Sequence, residues 1–128
     1  MKLSSTTLGC PAWTLEQVVA NFAAAGLEGI DFRGLSGEMD VTRLPAFTTG
    51  VAQTLKRITD AGLVVSGVSS SVRCVTAEAK ELAGHVDEVK RYCALAVALR
   101  CQCVRVFGGQ IPEGIRADEA LKVAAANL

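Results

Sequence analysis

The sequence predicts a parallel α/β fold built from four successive β-α units. Three observations carry this expectation. Short apolar stretches alternate with longer segments of helical periodicity along the chain. Helix-to-strand junctions recur at Gly26, Gly62 and Arg100, about every 36 residues. The stretch after each junction is short and largely apolar, as in a parallel sheet covered by helices.

The elements follow in order. Thr6-Thr7-Leu8-Gly9 is the expected first strand. Leu15, Val18, Val19 and Phe22 keep the i, i+3, i+4, i+7 spacing of an amphipathic helix. Thr14 with Gln17 has the capping-box pattern, and Trp13 stands where it can staple against Val18. Glycine at Gly26 suits the helix end, and Glu28 to Arg33 reads as the second strand. Val51, Leu55 and Ile58 mark a second helix that ends at Ala61-Gly62 and feeds a strand from Leu63 to Val68. The third helix is expected from Thr76 to Leu99, with Leu82, Val86, Val89, Cys93 and Val97 as its inner stripe. It feeds a fourth strand, Cys103 to Phe107, and a fourth helix begins near Asp118. Residues 1–128 thus read as a single α/β domain that stops inside its fourth helix. A closed eight-stranded barrel needs ~250 residues, so four units make half of one. A small, open, doubly wound sheet of the flavodoxin kind, binding a ligand, is the alternative.

Composition narrows the function. Half of the 128 residues are hydrophobic, enough for one core. Thirteen basic residues balance thirteen acidic ones, so there is no basic field for nucleic acid and no polybasic face for a membrane surface. The first seven residues carry one lysine and no apolar region follows them, unlike a secretory signal. No apolar run approaches the ~18 residues of a membrane span. A cytoplasmic protein is expected. The five cysteines form no C-x-x-C and no paired zinc pattern, which points to buried free thiols in a reducing compartment.

The candidate site comes from strand alternation. Ile30 and Phe32 share one face of the second strand, and Asp31 and Arg33 share the other. In the fourth strand Val104 and Val106 oppose Cys103, Arg105 and Phe107. With the aliphatic pairs against helices, Asp31, Arg33 and Arg105 face the sheet's inner side near the strands' carboxyl ends, where β-α barrels build their sites. One reading is a buried ion pair of Asp31 with Arg33 or Arg105, spanning ~9.6 Å if the strands lie two positions apart. The other is an arginine fork for a carboxylate, phosphate or sugar oxygens, with Asp31 orienting it. Two arginines against one aspartate favour the ligand. Trp13 can staple its helix or stack on a sugar. Gly108-Gly109 can form a tight turn or cradle a phosphate. His85, the only histidine, sits mid-helix, ~14 Å past the helix start, and is read as solvated or at the stripe's edge.

The segments LGCPAWTLEQVVANFAAAGLEGIDFR (8–33) and KRYCALAVALRCQCVRVFGG (90–109) resemble the first half of the xylose isomerase-like TIM barrels. These are sugar and sugar-phosphate isomerases and epimerases, with the endonuclease IV branch as distant relatives. The resemblance implies a parallel (βα)4 unit corresponding to the N-terminal half of a (βα)8 barrel. It also implies a divalent metal (Mn, Mg or Co) in the complete barrel, with a sugar or sugar phosphate as substrate. The family's metal ligands and acid–base groups come from strands five to eight, so no catalytic or metal residue carries over. Trp13, Asp31, Arg33, Arg105, Gly108 and Gly109 carry over as substrate-contact or mouth-shaping positions.

Three departures from the family stand out. Arg100 replaces a helix-ending glycine, Ser69-Ser70-Ser71 lacks the histidine of the endonuclease branch, and the second half is absent. Open edges on strands one and four would invite a homodimer or a non-catalytic self-associating module.

Overall fold

A computed structural model describes residues 2–76 and 78–128. The chain runs β1 (Ser4–Thr6), α1 (Leu15–Ala24), β2 (Gly29–Phe32), α2 (Val51–Asp60), β3 (Val64–Arg73), α3 (Ala79–Ala98), β4 (Val104–Phe107) and α4 (Ala117–Asn127). The four strands are parallel and lie in the order β1-β2-β3-β4. A doubly wound sheet reverses its strand order at a switch point. Sequential order has no reversal, so the flavodoxin-like alternative falls and the fold is a (βα)4 half-barrel.

The sheet's outer face is its core. Ile30, Phe32, Val65 and Val68 pack under Val18, Val19 and Phe22 of α1, Ile58 of α2, and Tyr92, Leu95 and Leu99 of α3. Phe32 meets Phe47 edge-on, with ring centres 4.9 Å apart. The capping box of α1 forms as expected. Thr14 Oγ1 accepts from the Gln17 N–H, and Gln17 Oε1 accepts from the Thr14 N–H.

Several boundaries differ from expectation. The first strand ends at Thr6, because its hydroxyl accepts from the Leu8 N–H and starts a 3₁₀ turn over Thr7–Gly9. β3 continues five residues past Val68, and its register shifts against β2 between Val65 and Gly67 and against β4 between Ser69 and Arg73. The inner stripe of α3 is Tyr92, Leu95, Ala96 and Leu99, whereas Val86, Cys93 and Val97 face outward and Val97 is 79% exposed. The expected start of α3 near Thr76 meets Ala77, which lies outside the described residues; the helix begins at Ala79. All five cysteines are free, but only Cys74 and Cys101 are buried. No helix among the described residues is long and apolar enough to cross a membrane.

Candidate functional site

The inner, carboxyl-end surface of β2, β3 and β4 gathers the charged residues. Register pairs Ser69 with Arg105, and Arg33 follows directly on β2. Arg33 is held from three sides. Its backbone N–H donates to Thr7 Oγ1 at 2.8 Å. Its Nη1 donates to the Ser69 carbonyl at 3.3 Å, and its Nη2 to Ser71 Oγ at 2.9 Å. Thr7 in turn donates its hydroxyl to the Gly34 carbonyl at 2.6 Å, so the turn after β1 fixes where β2 ends. Behind this end lies Tyr92, fully buried. Burial, then the Asp40 charge, pushes its hydroxyl up to about 12.

Asp31 makes no ion pair with either arginine among the described residues. The Ser69 hydroxyl stands between them instead. Ser69 Oγ lies 3.0 Å from both Asp31 carboxylate oxygens and accepts from Arg105 Nε at 3.3 Å. Arg105 also stacks on Phe107, with its guanidinium carbon 4.0 Å from the ring centre; Arg33 approaches the same ring at 5.9 Å. Arg105 Nη1 is buried and has no hydrogen-bond partner among the described residues. Burial of an unpaired cationic donor is costly, which marks this atom as the site's open valence.

A cleft of about 460 Å³ opens over this surface, lined by Arg33, Ser71, Arg73, Phe107, Gly109 and Gln110. The β4 exit is a turn tied to the β3 exit: Val75 N–H donates to the Gly108 carbonyl at 2.7 Å, and Cys74 N–H to the Phe107 carbonyl at 2.9 Å. Gly109 has φ +100°, and a Cβ there would meet Val75 at 3.2 Å.

The structure therefore brings Asp31, Arg33, Arg105 and the Gly108-Gly109 turn together. Of the expected site residues only Arg33 and Gly109 line the cleft; Trp13, Asp31, Arg105 and Gly108 do not. Trp13 sits 37% exposed on the loop before α1, where its carbonyl accepts from the Ser36 N–H. His85 is mostly buried on α3, 3.4 Å from Glu81 and beside Val72 and Cys74, so it belongs to the stripe's edge. Sequence reasoning missed Ser69, Ser71 and Arg73 as site residues. The signal is the Ser69-Ser70-Ser71 run, whose hydroxyls reach the site because β3 continues to Arg73. No three His, Cys, Asp or Glu side chains converge among the described residues. By themselves these residues form no divalent-metal site; the resemblance places the ligands of that metal on strands five to eight.

No protein-family model matches the chain, and no curated protein matches its sequence. A solved structure does match in fold: that of the probable 3-DHS dehydratase AsbF from Bacillus anthracis, described as involved in petrobactin synthesis. The TM-score is 0.74 at 16% identity, over 98% of this chain and 45% of that one. Such identity speaks for fold alone. The chain spans less than half the length of the structure it matches.

Proposed function

We propose that this (βα)4 unit is the N-terminal half of a sugar or sugar-phosphate isomerase- or epimerase-type barrel, and that its arginines hold the substrate. The observation that carries the reading is the buried, unpaired Nη1 of Arg105, whose guanidinium shares the Phe107 ring with Arg33, while Arg33 and Phe107 themselves line the cleft. A guanidinium with a free edge suits a carboxylate, a phosphate or vicinal sugar oxygens. Fold likeness to a probable dehydratase supports an enzyme of this general architecture. The metal and the acid–base groups belong, in this reading, to the half that closes the barrel. The residues of this chain bind and orient: Arg33 and Arg105 neutralise substrate charge, Phe107 supplies their platform, and the Gly109 turn leaves the cleft open.

Arg105→Met tests the reading. Asp31 keeps its Ser69 hydroxyl in that variant, so stability should change little while sugar-phosphate binding by the complete barrel is lost. A loss of ~3–5 kcal/mol in denaturant unfolding, the size seen when a buried ion pair is broken, would instead make Arg105 structural.

A further inference from the structure

We propose that Ser69 is the positioning residue of this site: its single hydroxyl converts the negative charge of Asp31 into an acceptor for Arg105, and so sets the direction in which the guanidinium meets an oxyanion. The inference rests on the proposed substrate role of Arg105 and adds what aims it. A serine hydroxyl has one proton and two lone pairs. The carboxylate of Asp31 can only accept, so the Ser69 proton goes to it, shared between two oxygens at 3.0 Å each. That leaves the serine's lone pairs for the Arg105 Nε–H at 3.3 Å. Polarity along the line Asp31–Ser69–Arg105 is thereby fixed.

Two further contacts make the arrangement rigid. The Phe107 ring holds the guanidinium plane from one side at 4.0 Å. The Ser69 main chain is held as well, since its carbonyl accepts from Arg33 Nη1. With Nε tied to the serine and one face on the ring, Nη1 has no freedom to seek another partner, and it is the atom left unpaired. Gly67 supports the same line from below, because a Cβ there would lie 3.2 Å from Asp31 Oδ1. The missing side chain leaves the carboxylate its place within reach of Ser69 without that close contact.

The test uses the complete barrel, this chain together with the half that closes it, with inorganic phosphate, and separately lactate, as probes, titrated by NMR on arginine side-chain N–H signals. Wild type should show a protected Arg105 Nε–H signal and bind at least one probe; which one binds tells phosphate from carboxylate chemistry. Ser69→Ala should lose that signal, bind about tenfold more weakly and unfold at a lower midpoint, because Asp31 and Arg105 Nε lose their shared partner, while Ser69→Thr restores the signal and the binding. Arg105→Met should lose binding. If Ser69→Ala keeps wild-type affinity while Arg105→Met loses it, the positioning role is overturned and the ligand role of Arg105 stands. If Arg105→Met binds as wild type does, or the wild type binds neither probe, the ligand role falls and the positioning role with it.

Discussion

Two backbone positions at positive φ have opposite value to the fold. Gly109, at φ +100° and 3.2 Å from Val75, holds the turn that leaves β4 beside the cleft. Gly109→Ala should cost ~1–3 kcal/mol, the usual size for forcing a side chain into such a region, seen as a lower midpoint in urea. Arg100 sits at φ +55° where α3 ends. An arginine in the left-handed region costs ~1–2 kcal/mol, partly offset by the greater unfolded freedom of glycine. Arg100→Gly should therefore stabilise the chain, by up to ~1 kcal/mol. This conflict was legible in the sequence, because a helix-ending position was occupied by arginine. Ser69 was not, since a hydroxyl's partners depend on a register that bulges twice along β3.

Legibility varied in the same way among the elements. α1 could be read because a cap, a capping partner and one unambiguous apolar face agree; Thr14→Ala should cost ~1 kcal/mol. α3 misled because it carries apolar residues on two adjacent faces, and the sheet chooses between them. Leu95→Ala should thus cost ~2–5 kcal/mol, while Val97→Ala, at an exposed position, should be near neutral. The segment after β2 is tied to α3 through Asp40, which takes Arg91 at 3.3 Å. Burial alone would raise the Asp40 carboxyl, but the Thr42 hydroxyl and backbone N–H together with Arg91 outweigh it and hold it below the ordinary carboxylate value. A carboxyl depressed by folding stabilises above its unfolded pKa of ~3.9 and loses that contribution as pH falls through the folded value. Acid unfolding below ~pH 5 should accordingly be less steep in Asp40→Asn than in wild type.

For the whole molecule, what matters is the sheet's inner face and its two open edges. Leu3 and Leu8 flank β1, Phe107 ends β4, and all three are exposed, so a homodimer through these edges is the competing proposal. The inner rows argue against closure by an identical half. Ser4, Gly29 and Ser66 meet at one level, with the two serine hydroxyls 2.5 Å apart, and Thr6, Asp31 and Gly67 form the next. Barrel interiors are filled by bulky side chains in layers. Two copies would set these two shallow rows against each other below Arg33, Arg105 and Phe107, leaving that part of the interior unfilled. A chemically different half, with larger side chains, would fill it. The repeat of β-α units made the half-barrel legible from sequence, whereas the shallowness of its inner face needed the register.

Native mass spectrometry of the protein purified from its own host tests the central claim most directly. The account predicts that the 13.4 kDa unit occurs joined to, or in one-to-one complex with, a different half of similar size. A lone 13.4 kDa monomer, or a dimer of identical 128-residue chains, would contradict it.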